Sequence, residues 1–91
     1  MPRLDGTAKE VLAIIAGLRR EYGMDNVSTT NVEPRSSHNR TEVGQALYRL
    51  EGLGYLIQIR NGHTVNVYEI RPAALDGVEP APVRSEPGGA D

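Results

Sequence analysis

The sequence predicts an α+β domain of three helices followed by a β-hairpin, with a disordered C-terminal tail. Three observations carry that reading. Val43, Ala46, Leu47 and Leu50 recur at helical spacing between Asn39, a suitable N-cap, and Gly54, a suitable C-terminal stop. A second apolar stripe of the same period runs from Ala8 to Tyr22. Between Tyr55 and Ile70 the period changes to two, around Asn61-Gly62.

In chain order, Thr7-Ala-Lys-Glu10 has the form of a capping box, with Thr7 capping the third amide and Glu10 reaching back. Ala8, Val11, Leu12, Ile15, Leu18 and Tyr22 mark one face of a helix that ends at Gly23. Ile14 lies beside the stripe, where it would widen the core face or supply a dimer contact. Val27 suits a very short strand, and Ser28, Thr29 and Thr30 are candidate caps for a brief second helix. Pro34 keeps that helix short, because it lacks an N–H and crowds the preceding carbonyl. Ser36-Ser37-His38 is the turn before the third helix, which Asn39 caps with help from Glu42.

For the hairpin, Tyr55, Ile57, Ile59, Val65 and Val67 share one face if the turn is the three-residue Arg60-Asn61-Gly62, with Gly62 left-handed. Ile59 then faces His63, Ile57 faces Val65 and Tyr55 faces Val67. Gln58, Thr64 and Asn66 fall on the wet face. Pro72 starts a short terminal turn through Leu75. Residues 1–75 thus form the domain. Residues 76–91 are rich in Pro, Gly and acid, with nothing to bury, and read as a disordered tail.

Composition narrows the function. A chain of 91 residues supports one small core, too modest for a large internal active site. Without cysteine there is no disulfide, zinc finger or thiol nucleophile, and His38 and His63 alone do not make a metal site. No apolar run approaches the roughly 20 residues that span a bilayer, and the leader Met1-Pro-Arg-Leu-Asp has no apolar signal core. A cytoplasmic protein with no membrane contact is expected. The net charge of −2 argues against a nucleic-acid partner, but residues 76–91 carry −3 of it. Residues 1–75, with nine basic and eight acidic side chains, carry +1, and only one of the ten basic residues is Lys. Arginine forks suit guanine and phosphate.

Catalysis fails on inventory. Ser36, Ser37 and His38 are adjacent, but no third group completes a triad, and there is no glycine-rich phosphate loop. A binding domain, not an enzyme, is predicted, with no cofactor or metal. The outward face of the third helix carries Thr41, Gln45 and Tyr48, flanked by Arg49 and Glu42. Such a helix fits the DNA major groove, where Gln45 suits an adenine edge and Thr41 and Tyr48 suit phosphate. Arg40 sits where the helix N-terminus also favours phosphate. Arg35, Ser37 and His38 in the preceding turn are candidate phosphate contacts. Arg60, Asn61 and His63 at the hairpin tip would reach flanking DNA. Plainer readings stand beside these: Asn39 is explained by capping, Asn61 by turn chemistry, and Gln45 and Arg49 by solvation. Gly44 is unusual inside a helix. A close approach by the second helix or by a DNA backbone would account for it.

Val43-x-x-Ala46-Leu47-x-x-Leu50-Glu51-x-x-Gly54-Tyr55-Leu56, followed by a hairpin, resembles the recognition helix and wing of winged helix-turn-helix regulators of bacteria, such as the MarR, PadR and ArsR groups. The resemblance covers about residues 7–71. It implies double-stranded DNA as partner, a role in transcription regulation and a homodimer, with residues 39–53 in the major groove and the wing at 60–63 on flanking DNA. The long dimerisation helices of the MarR and PadR groups are missing, so Ile14 or the termini would have to supply that contact. Glu42 to Leu50 also looks like the helix of Z-DNA-binding winged helices, from which the chain departs at Gly44, Thr64 and Val65. The alternative expectation is a winged helix that binds protein, as an adaptor in a transcription, replication or phage assembly.

Overall fold

Asp5 starts the first helix. Its carboxylate accepts the Ala8 N–H at 2.8 Å, and α1 runs Gly6–Tyr22. The predicted Thr7–Glu10 capping box does not form, because Thr7 already lies inside the helix and Glu10 is engaged elsewhere. An aspartate at the cap is both an acceptor and a negative charge suited to the helix N-terminus, which favours it over a threonine two residues on. The computed structural model describes residues 5–62 and 64–81, apart from the side chains of Asn61, Thr64, Val65 and Asn66. Ala8, Val11, Leu12, Ile15 and Leu18 are buried as the stripe predicts. Ile14 is buried with them, at 3 % exposed, so it widens the core and is not available for a dimer contact. Gly23 closes α1, its N–H donating to the Arg19 carbonyl.

The short strand and the short helix follow as β1 (Asn26–Val27) and α2 (Thr29–Val32). Ser28 is the residue before α2, and its N–H donates to Asn31 Oδ1 at 2.9 Å. After Val32 the chain tightens into a 3₁₀ turn, Glu33–Arg35, where Pro34 ends regular helix. Helix α3 spans Arg40–Gly52, capped by Asn39. It stops at Gly54, whose φ of +93° is one that L side chains rarely adopt. There the Tyr55 N–H donates to the Leu50 carbonyl at 3.0 Å and the Gly54 N–H to Glu51 at 3.1 Å, which satisfies two carbonyls of the last turn.

Strands β2 (Leu56–Asn61) and β3 (Thr64–Ile70) form the hairpin, and β1 adds to its other side, giving an antiparallel sheet of order β1-β3-β2. The domain is therefore α+β, three helices with a three-stranded antiparallel sheet. The register differs from the expected one. Asn61 pairs with Thr64, Gly62 after Asn61 has a left-handed φ of +71°, and Arg60 pairs with Val65. An extra residue on β3, Asn66, then shifts the ladder, so that Ile59 faces Val67, Gln58 faces Tyr68, Ile57 faces Glu69 and Leu56 faces Ile70. Odd still pairs with odd below the shift, but four positions further along β3 than expected.

The buried face is also the opposite one. Leu56, at 2 % exposed, Tyr68 and Ile70 join the core, whereas Ile57 and Ile59 are 44 % and 38 % exposed. Gln58 lies on the inner face, half-buried, rather than on the wet one. The reason is where the helices lie. The core cluster of α1, Val32 and α3 meets the sheet through Leu56, Tyr68 and Ile70, all on its even face and near the base of the hairpin. Ile57, Ile59 and Val67 belong to the other face.

A 3₁₀ turn, Pro72–Leu75, follows as expected. The residues after it do bury surface: Leu75, Val78 and Ala81 lie against the core cluster, and the Ala81 N–H donates to the Ala13 carbonyl of α1 at 2.9 Å. The expectation for residues 82–91 falls outside the described residues. Among the described residues no helix is long and apolar enough to cross a membrane.

Candidate nucleic-acid interface

Helix α3 is aimed by its first turn. Asn39 Oδ1 accepts the Glu42 N–H at 2.8 Å, and Glu42 Oε1 accepts the Asn39 N–H at 3.2 Å, the reciprocal box that the sequence predicts. With Val43, Ala46, Leu47 and Leu50 buried, the rotation of α3 is set. Arg40, Thr41, Gln45, Tyr48 and Arg49 consequently lie on its exposed side, Tyr48 at 64 % exposed.

The turn that feeds α3 is held from below by α1. Glu10 Oε2 accepts the Ser37 N–H at 3.0 Å, and Oε1 accepts the Ser37 hydroxyl at 3.1 Å. His38 bridges the two helices, with Nε2 3.2 Å from Glu10 Oε1 and Nδ1 3.1 Å from Glu42 Oε1. Thr7 Oγ1 lies 3.4 Å from the same Nε2. Only the imidazolium donates at both nitrogens; a neutral ring donates to one. Ser37 and His38, expected as phosphate contacts, are engaged within the chain by carboxylates that tie the turn before α3 to α1 and to the first turn of α3. Asn39 is likewise committed as a cap.

The remaining site residues separate into two flanks. Gln45, Tyr48 and Arg49 line an open groove between α3 and the start of α1, and Asp5 and Glu42 line it too. The Arg49 flank therefore carries both signs of charge. Tyr48 also reaches the other flank, where it and Arg60 lie close enough to Tyr68 for their charges to act on it. Burial raises the Tyr68 phenol above its ordinary value, the Glu51 carboxylate adds to this, and the Arg60 guanidinium opposes it. Arg35 is exposed, with Nη1 donating to the Asn31 carbonyl at 3.0 Å. Arg60 and Asn61 end β2 at the hairpin tip, and His63 lies outside the described residues.

Gly44 sits within α3, where glycine costs about 1 kcal/mol relative to alanine. Crowding by α2 does not account for it. A Cβ built there would meet only Thr29 Oγ1, at 4.0 Å, an ordinary contact distance. Thr29 and Glu10 are the neighbours of the site that sequence reasoning missed. Each acts across a long stretch of chain, and no local pattern marks such a contact. No family model matches the chain, and no curated protein or solved structure matches it significantly.

Proposed function

We propose that the chain is a winged helix-turn-helix domain that binds double-stranded DNA in a sequence-specific manner, as a small transcription regulator. Helix α3 enters the major groove, and the β2–β3 wing lies on flanking DNA. The observation that carries this reading is the outward side of α3. Arg40, Thr41, Gln45, Tyr48 and Arg49 are all exposed on one helix, whose opposite side is buried and whose preceding turn, at Ser37 and His38, is tied to α1. A helix so held loses little freedom on docking, and its exposed groups are donors for phosphate and base edges. Ser37, His38 and Asn39 contribute by aiming the helix; Arg35, Arg60 and the wing tip supply the flanking contacts.

A second reading is favoured by two observations. The outer face of the sheet exposes Ile57 and Ile59, and Asp5 and Glu42 share a groove with Arg49. That mixture suits a protein partner, and an adaptor role in a transcription, replication or phage assembly follows from it. Fluorescence anisotropy with labelled duplexes, including DNA that flanks the protein's own gene, separates the two. On the DNA reading, binding weakens steeply with salt, and Arg40→Ala combined with Arg60→Ala weakens it further and lowers the salt slope by about two. Unchanged affinity in that double variant would refute the groove model.

A further inference from the structure

Half-buried Gly44, on the flank of α3 that faces Thr29 of α2, leaves a notch where a side chain would stand. Nothing inside the described chain calls for glycine there. Its φ is not among the positive values found at other glycines, so no special backbone conformation is involved. Space for a Cβ exists, since the nearest atom would be Thr29 Oγ1 at 4.0 Å. Helix propensity opposes glycine at an interior position. The groups around the gap are informative. Arg40 and Tyr48 stand one turn to either side on the same face of the helix, both exposed. The Thr29 hydroxyl, from the first residue of α2, faces the gap from across the helix pair. Positions 40 and 48 thus flank position 44 one turn away on each side, Thr29 Oγ1 lies beside it, and a guanidinium, a phenol and an aliphatic hydroxyl all donate to phosphate oxygens. The helix's own carboxylates stand away from it. Glu42 is on the other side of α3, and Glu51 lies about 10 Å along the axis.

We propose that the notch at Gly44 is a subsite for one phosphate of the DNA backbone, ringed by Arg40, Tyr48 and Thr29. This rests on the DNA-binding reading above and adds to it the point of closest approach between the helix and the sugar–phosphate chain. A methyl group at position 44 would occupy the space the phosphate oxygens need. A backbone contact of this kind holds the helix in register and does not read a base.

The test compares the unsubstituted protein with Gly44→Ala and Gly44→Gln, by thermal unfolding and by anisotropy on a panel of duplexes differing by single base pairs. Gly44→Ala should raise Tm by about 4–8 °C, because a better helix former replaces glycine without a clash. It should at the same time weaken DNA binding by roughly tenfold, equally on every duplex, with the salt slope reduced by about one. Gly44→Gln should weaken binding more. If the wild-type protein binds duplex DNA and Gly44→Ala binds as tightly, the subsite is refuted while the DNA reading stands. A loss confined to one base pair would also refute it, since that would mean a base-edge contact. If the wild-type protein binds none of the duplexes, the DNA reading fails and the subsite with it.

Discussion

Replacing Leu56 and Ile57 by alanine, one at a time, tests which face of the hairpin is buried. The two residues are neighbours on β2 with nearly equal apolar volume, yet Leu56 is 2 % and Ile57 44 % exposed. A buried Leu→Ala change loses the transfer free energy of the deleted carbons and leaves a cavity, about 2–5 kcal/mol in total. At Ile57 the lost burial is roughly half that of a fully buried side chain, and the vacated space is open to water, so no cavity cost arises. About 0.5–1 kcal/mol is expected there. A domain of this size has a total stability of roughly 4–12 kcal/mol, at 0.05–0.15 kcal/mol per residue. Leu56→Ala therefore removes a large share of it. At about 4–8 °C per kcal/mol, Tm should fall by at least 8 °C for Leu56→Ala and by a few degrees for Ile57→Ala. Far-UV circular dichroism during heating reads the first quantity, and a urea midpoint with unchanged m confirms that stability alone has moved. An Ile57→Ala loss equal to or larger than that of Leu56→Ala would refute the face assignment, and with it the register built on the Asn66 bulge.

Three further outcomes follow from the contacts. Asp5→Ala should cost about 1 kcal/mol as the loss of an N-cap, while Thr7→Ala stays within about 0.5 kcal/mol; the reverse order in urea midpoints would restore Thr7 as the cap. Glu10→Ala should cost about 1–2 kcal/mol, because the Ser37 N–H, the Ser37 hydroxyl and His38 lose their shared acceptor. A double-mutant cycle with Ser37→Ala that shows no coupling would disprove this link between α1 and the turn. Burial raises the Tyr68 phenol, so the unfolded chain releases this proton first once pH passes about 10. The folded state then holds more protons than the unfolded one, and stability falls as pH rises further. The urea-derived stability of Tyr68→Phe should fall less steeply than wild type above that pH, and parallel slopes would remove Tyr68 as the cause.

How much was legible in the sequence depended on the range of the deciding contact. The α3 capping box, the Gly54 stop and the 3₁₀ turn at Pro72 were all read correctly, because each is settled by residues within one or two turns. The cap of α1 is local too, but two candidates competed, and the charge of Asp5 decided it. The hairpin face was misread because β2 and β3 each hold apolar residues of both parities, Leu56 beside Ile57 and Val67 beside Tyr68. Alternation cannot choose between such sets. The choice belongs to the helices, which meet the sheet at Leu56, Tyr68 and Ile70. For the candidate site, the outward residues of α3 followed from its apolar stripe. The internal engagement of Ser37 and His38 did not, since it depends on Glu10, some 27 residues away. Val78 and Ala81 were assigned to the tail by composition, and their packing depends on partners distant in sequence, such as the Ala13 carbonyl of α1 that accepts the Ala81 N–H.

The strand order leaves β2 at an edge of the sheet. Among its six residues, Leu56–Asn61, there is neither Lys nor Pro, and Ile57 and Ile59 are exposed along it. Proteins usually protect such edges with charge, proline or a bulge, and here the bulge is on β3 while Arg60 is the only charge. The consequence is colloidal. With a net charge of only −2 to keep copies apart, concentrated solutions should thicken into strand-paired aggregates well below the temperature of unfolding. Ile59→Lys should raise the solubility limit and leave Tm nearly unchanged.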